Sequence, residues 1–360
     1  MKVLKSIKRG FALICVMALA LSLCACSGKA AKVEPQGKSY FSYFDTVSFV
    51  YSYAGDSAEQ FNDRSAEVSG ILGEYHRLFD IYHEYSGVNN LCTVNRLAGG
   101  EAVKVDKKLI DFMLYAKELC EATNGEMDVT MGAVLSLWHD CREAASNDPA
   151  SAKVPTLEEL EAAAEHTGFG LLEIDAENCT LRLTDPEASL DVGALGKGYA
   201  TERAAEYLES VGAESYVLNI GGNIRIIGTK PDGSQWSGGV ENPWNASDVY
   251  TASSSYVSGV NMSDMALVTS GNYQRYYVVD GVRYHHLIDP DTLWPARYFD
   301  SVSVLSPDSG AADCLTTGLF CMSLEDGQKL IESLDGVEAL WCTPDGEVIQ
   351  SSGWADHEKK

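Results

Sequence analysis

Positive charge is scarce in this chain. Its 360 residues carry 27 Lys and Arg against 52 Asp and Glu, a formal net charge of −25. Nucleic-acid binding rests on clustered cations that displace condensed counterions, so this balance speaks against such a partner. Paired cysteine motifs are missing too. Of ten cysteines, Cys15, Cys24 and Cys26 fall in the N-terminal apolar segment. The other seven (Cys92, Cys120, Cys141, Cys179, Cys314, Cys321 and Cys342) form no CxxC pair and no Cys/His cluster, which excludes a disulfide scaffold and a zinc site. Long apolar runs are absent apart from "GFALICVMALALSLCAC" (10–26), which is short for a membrane span. There is no internal repeat, and no linker divides residues 40–353.

That apolar run follows Lys2, Lys5, Lys8 and Arg9 and ends in small residues, the layout of an export signal. "LCAC" (23–26) resembles a bacterial lipobox, in which cleavage exposes Cys26 to carry a lipid; an ordinary cleaved signal or an uncleaved anchor is the alternative. The expected organisation is a lipoprotein signal peptide over 1–25, a flexible tether over 26–39, one domain over 40–353 and a C-terminal tail over 354–360. The expected location is the cell membrane, lipid-anchored on its extracytoplasmic face. Cleavage would remove four basic residues and no acid, taking the charge from −25 to −29.

Along the domain, "DTVSFVYSYAG" alternates as a strand does, and the apolar spacing then turns helical from Phe61 to Leu78. A second helix carries Leu109, Phe112, Met113, Ala116 and Leu119 up to a "TNG" stop, and Thr156 with Glu159 reads as a capping box. Asp280-Gly281 lies between two alternating runs, a strong hairpin signal. Strands and helices mix without βαβ alternation, so the fold class is α+β, mixed sheets with packed helices.

One stretch, "SLDVGALGKGYATERAAEYLES" (189–210), places three glycines and Lys197 at the mouth of an amphipathic helix. Such a turn presents backbone N–H groups to a phosphate; equally it is a strand-turn-helix corner whose glycines supply positive φ. Its spacing fits neither a Rossmann fingerprint nor a Walker A loop. Further unusual strings are "GEMDVTMGAVLSLW" (125–138), "LNIGGNIRIIG" (218–228), "VTSGNYQRYY" (268–277), "HLIDPDTLWPA" (286–296) and "ADCLTTGLF" (312–320).

In their order and spacing these strings resemble the FAD:protein FMN transferase family, the ApbE-like flavin transferases, over the whole domain. "DVGALGKGYA" follows the family's D-L-G-G-I-A-K-G-Y-A nearly residue for residue. The resemblance implies a single T-fold-related catalytic domain that splits the pyrophosphate of FAD, its substrate, with Mg2+. FMN is joined through a phosphoester to a Thr or Ser hydroxyl of an acceptor protein, and AMP leaves. By the same resemblance Tyr82, Glu126, Met127, Asp128, Asp191, Lys197 and Ile288 contact FAD. Phe44 is a further ring contact, and the metal ligands are the carbonyl of Ala194 with Asp313 and Thr317. Three hard oxygens suit Mg2+.

His286 is the candidate base on the acceptor hydroxyl, with Asp289 to orient it, so the rate is expected to rise with pH through the imidazole's ionisation. The acceptor is expected to be an exported or membrane redox subunit carrying an S/T-G-A-T-like string, because this chain contains none. Two departures from the family stand out. Leu293 replaces a turn glycine, which predicts a differently shaped loop, and Glu126-Met127 replaces Ala-Phe. Two other readings share these residues: a non-catalytic flavin-capturing lipoprotein, and an FAD pyrophosphatase that uses water as nucleophile.

Overall fold

The computed structural model describes residues 34–244 and 255–359. The export signal and Cys26 lie outside the described residues.

Eight strands join into one antiparallel sheet in the order Gln36–Tyr43, Thr46–Ser52, Tyr216–Ile220, Asn223–Ile227, Ala266–Gly271, Ser301–Ser306, Glu338–Cys342 and Val348–Gln350. Reversals are made where the chain offers positive φ. Gly221 and Gly222 (59° and 96°) turn Tyr216–Ile220 into Asn223–Ile227, and Asp280 and Gly281 (49° and 79°) close the separate hairpin of Tyr276–Val279 with Val282–His285.

Ser301–Ser306 is buried along its whole length because both faces of the sheet are covered. Val302 and Val304 meet Leu315, Leu319 and Phe320 on one face, and Leu305 meets Val260, Met262 and Trp354 on the other. The largest core packs the helices Ala58–Phe79, Lys107–Ala122 and Gly196–Ser210 together, with the rings of Phe79 and Phe112 at 4.1 Å and of Phe112 and Tyr199 at 5.1 Å. Leu157–Ala164 begins with the expected capping box: Thr156 Oγ1 accepts the Glu159 N–H, and Glu159 Oε2 accepts that of Thr156.

Both domain edges differ from expectation. Residues 36–39, read as tether, belong to the strand Gln36–Tyr43, whose backbone pairs with Thr46–Ser52. Residues 354–359, read as a tail, pack onto the domain: Trp354 is fully buried with its indole N–H on Ser258, and the Lys359 N–H donates to Gly259. The seven domain cysteines are all free thiols, five of them buried.

Candidate active site

The glycine turn does become the start of a helix, Gly196–Ser210, and that helix lacks a side-chain cap of its own. Its exposed donors are met from elsewhere. Asp313, buried on the helix Ser309–Cys321, accepts the Gly198 N–H on Oδ2 at 2.8 Å, and the Lys197 ammonium stands 3.4 Å from the same oxygen. Only glycine allows this approach, since a Cβ on residue 198 would sit 2.3 Å from the Ser309 carbonyl oxygen and 2.4 Å from Asp313 Cβ. Asp313 therefore works as an N-cap supplied by a neighbouring helix. Thr317 lies four residues on, half-buried, while the adjacent Thr316 is buried, bonded to the Asp313 carbonyl and to Ser270. Spacing of four puts Asp313 and Thr317 on one helix face, and Ala194 lies in the turn just before Lys197 and Gly198, which meet Asp313.

These residues fit a hard divalent cation in kind: one buried carboxylate, a hydroxyl and a loop carbonyl. Among the described residues no group of three His, Cys, Asp or Glu forms a metal cage. An ion here would depend on neutral oxygens and on its substrate for the remaining ligands.

Immediately before the turn, Asp191 is held by its backbone N–H on the Val129 carbonyl (2.8 Å), and its Oδ1 accepts the Gly193 N–H (2.8 Å). Asn95 clamps Leu190 by exchanging two hydrogen bonds with its backbone. Burial pushes the Asp191 carboxyl up, against the pull of His139, Arg142 and Arg275. Asp191 lines a cleft of about 170 Å³ with Ile81, Tyr82, Asn95, His139 and Leu190. Tyr82 is half-exposed over it, its ring 5.2 Å from that of His139. His139 Nδ1 accepts from both the Tyr82 hydroxyl (3.3 Å) and Arg142 Nη2 (2.9 Å). A larger hollow of about 380 Å³, between Tyr75, Lys108 and Arg203, is lined by none of the expected site residues; the smaller cleft is the one that Tyr82 and Asp191 border.

The other expected contacts divide. Asp128 turns back on its own loop, accepting the N–H and hydroxyl of Thr130 on Oδ1, beside the strand-like pairing of Met131 with Ser189. The side chains of Met127 and Ile288 are buried in hydrophobic clusters, so any contact they make with a ligand comes from backbone. Phe44 stands in the left-handed region (φ 53°) with its edge on His76. Glu126 has a buried oxygen, Oε2, with no partner; burial first, then Asp291, Asp289 and Asp326, push its carboxyl up to about 7.

Of the two adjacent histidines, His285 has both nitrogens engaged: Nε2–H donates to the Ala296 carbonyl and Nδ1 accepts the Leu287 N–H. His286 Nδ1 is 3.3 Å from the Arg275 carbonyl, which can only accept, so Nδ1 carries the proton and Nε2 is left as the acceptor. Burial, followed by the charges of Arg275, His285 and Arg142, pushes the imidazole down to about 3. Asp289 does not orient it. The Asp289 carboxylate takes the N–H groups of Asp291 and Thr292 and the hydroxyl of Tyr298, which organises the loop that follows. In that loop Leu293 stands in the left-handed region that favours glycine (φ 62°), and its carbonyl accepts the Trp138 indole N–H at 2.9 Å. His139, Arg142 and the Arg275 carbonyl escaped the sequence reading. The single available signal was the three-residue spacing of His139 and Arg142 on one helix.

The sequence profile of the ApbE family matches residues 46–341. A Treponema pallidum protein named FAD:protein FMN transferase is 29% identical over 348 residues, spanning 96% of this chain and 93% of its own. A Vibrio cholerae protein of the same name is 31% identical over 318 residues, 88% of this chain and 89% of its own. Among solved structures, the ApbE protein of Thermotoga maritima superposes with a TM-score of 0.77 at 27% identity, covering 91% of this chain and 100% of that one. The Vibrio cholerae flavin transferase ApbE gives 0.72 at 28%, over 90% and 99%.

Proposed function

The chain belongs to the ApbE family, and from that premise we propose the reaction: it moves FMN from FAD onto a Thr or Ser hydroxyl of an acceptor protein and releases AMP. One observation carries the site assignment. A buried carboxylate, Asp313, is held between the Lys197 ammonium and the Gly198 N–H at the start of a helix that has no side-chain cap of its own, where the positive helix end also favours a phosphate.

Ala194, Asp313 and Thr317 would hold Mg2+, which when bound offsets charge on the pyrophosphate. Lys197 adds a second positive charge beside it, and the helix start a third, partial one. Asp191 and the Tyr82 ring border the cleft that would take the flavin half. The acceptor hydroxyl oxygen bonds to the FMN phosphorus as the bond from that phosphorus to the AMP oxygen breaks. The hydroxyl proton passes to His286 Nε2, and AMP carries away the bridging oxygen. Positioning supplies most of the acceleration in such transfers. Cys26 would carry the lipid and hold the domain outside the cell membrane through the short segment before Gln36.

The test is intact mass. Purified protein, FAD and Mg2+ are incubated with an exported redox subunit bearing an S/T-G-A-T-like string, and the acceptor should gain the mass of FMN as AMP appears one for one. AMP with free FMN and an unlabelled acceptor would make the chain a pyrophosphatase instead.

A further inference from the structure

In a chain with nearly twice as many acids as bases, an arginine readily finds a carboxylate. Among the described residues Arg64, Arg96, Arg182, Arg203 and Arg225 do so. Arg142 does not. Its side chain bonds within its own helix, Gly132–Asn147, where Nη2 donates to His139 Nδ1 at 2.9 Å. A guanidinium can only donate, so His139 Nδ1 accepts with its lone pair and the ring proton sits on Nε2. This contact leaves the arginine's charge uncancelled, and Nε and Nη1 meet no protein acceptor among the described residues.

The helix is a wall with two neighbours. Gly132, Ser136 and His139 line the cleft together with Tyr82 and Asp191. Trp138 and Cys141 pack in one cluster with Tyr277, and Trp138 stacks on Tyr284 at 5.8 Å. Tyr277 pairs with Tyr284 across the hairpin, so Arg275 and His286, two residues further along each strand, share the face turned to the helix. Arg142 lies three residues beyond His139 and next to Cys141, where the wall passes from cleft to hairpin. Its charge reaches both sides: it pulls down the Asp191 carboxyl and the Tyr82 phenol in the cleft, and the His286 imidazole at the hairpin's end.

We propose that Arg142 binds the phosphate on the flavin side of FAD, the group that is transferred, and that His139 is the positioning residue that holds the guanidinium in place. The proposal rests on the transfer reading above. With the flavin ring at Tyr82 and the acceptor hydroxyl at His286, the FMN phosphorus lies between them, and Arg142 acts on both. Charge decides the ligand: Asp191 and the acidic chain repel a phosphate, and a guanidinium without a carboxylate offsets that repulsion where it is strongest.

FMN and riboflavin test it, because they share the ring and differ by the phosphate. Each is titrated by calorimetry against the purified protein without Mg2+. The parent should bind FMN more tightly than riboflavin, with the preference shrinking as salt rises. Arg142→Gln should weaken FMN about tenfold, the usual worth of a hydrogen bond to a charged group, while riboflavin, which also reports a folded cleft, binds as in the parent. Arg142→Lys should keep part of the preference. His139→Ala should lower it, and His139→Asn, whose amide oxygen can accept the Arg142 N–H, should restore it. Parent affinity for FMN in Arg142→Gln, or an equal loss of both ligands, would overturn the proposal. Acceptor mass measured on the parent with FAD and Mg2+ separates the two readings: an unlabelled acceptor sinks transfer, and a phosphate preference that depends on Arg142 stands without it.

Discussion

Glu202 and Asp313 each close the other's helix. Glu202 Oε2, on Gly196–Ser210, accepts the Ser309 N–H at 2.7 Å, and Asp313 Oδ2, on Ser309–Cys321, accepts the Gly198 N–H at 2.8 Å. The two carboxylates face different neighbours. Glu202 is consumed by structure, because buried Arg225 donates to it through Nε and Nη2. Among the described residues Asp313 faces only the Lys197 ammonium besides its cap, which leaves its carboxylate open to a cation. One crossing thus fixes the helices and presents the carboxylate proposed to hold the metal.

Glu202→Ala should be a stability variant. Removing it strands most of a buried guanidinium, with Glu209 as the remaining carboxylate, and frees the Ser309 N–H. Breaking a buried pair in this way costs about 3–5 kcal/mol. Urea unfolding should show that loss, and activity per folded molecule at low temperature should survive.

Asp313→Asn should do the reverse. An amide oxygen still accepts the Gly198 N–H, so the midpoint of urea unfolding should stay close to the parent, whereas the charge that balances Lys197 and would bind Mg2+ is gone. Labelling of the acceptor should fall at least about 10²-fold, and Thr317→Val should cost less because it removes a neutral ligand. Parent-like Mg2+ dependence in Asp313→Asn would move the metal elsewhere.

What the sequence made legible was local. Asp280-Gly281 and Thr156 with Glu159 act within four residues, and their chemistry gave the hairpin and the helix start where they are found. The family strings located Lys197 and Asp313, which meet across two helices, and Asp191, whose carboxylate holds the turn just before them. Partners far apart in the chain stayed hidden: the Trp138 bond to Leu293 spans 155 residues, and nothing in "DPDTLWP" says that a leucine will stand in the left-handed region. Trp354 looked like tail because its pocket is built by residues about a hundred positions earlier.

Glu126 makes a pH-dependent prediction. Its carboxyl, at about 7 when folded against an ordinary 4.5, holds its proton more tightly in the native state, so ionisation opposes folding. That cost is complete above pH 7 and disappears as the pH falls below about 4.5. Glu126→Gln should therefore raise Tm at pH 8 and lose most of that gain at pH 5. Equal gains at both would mean that the buried oxygen is relieved by something other than its proton.

His286→Ala separates chemistry from binding. The Arg275 carbonyl fixes the Nδ1 proton, so Nε2 carries the lone pair, and no protein partner competes for it among the described residues. With the imidazole pushed down to about 3, it is neutral from about pH 4 upward, and the rate should carry no His286 limb between pH 5 and 8. An unperturbed imidazole would have placed one near 6.5. A base this weak sits at the low end of the usual range, so the variant should flavinylate about 10²-fold more slowly, with FAD affinity kept. The measurement is a single-turnover mass time course at saturating Mg2+ across pH, on parent and variant. A steep limb near pH 6.5 in the parent that vanishes in the variant would show that bound substrate restores the imidazole's basicity. Parent-rate labelling by His286→Ala would remove the residue from the reaction altogether and leave the substrate's own phosphate to take the proton.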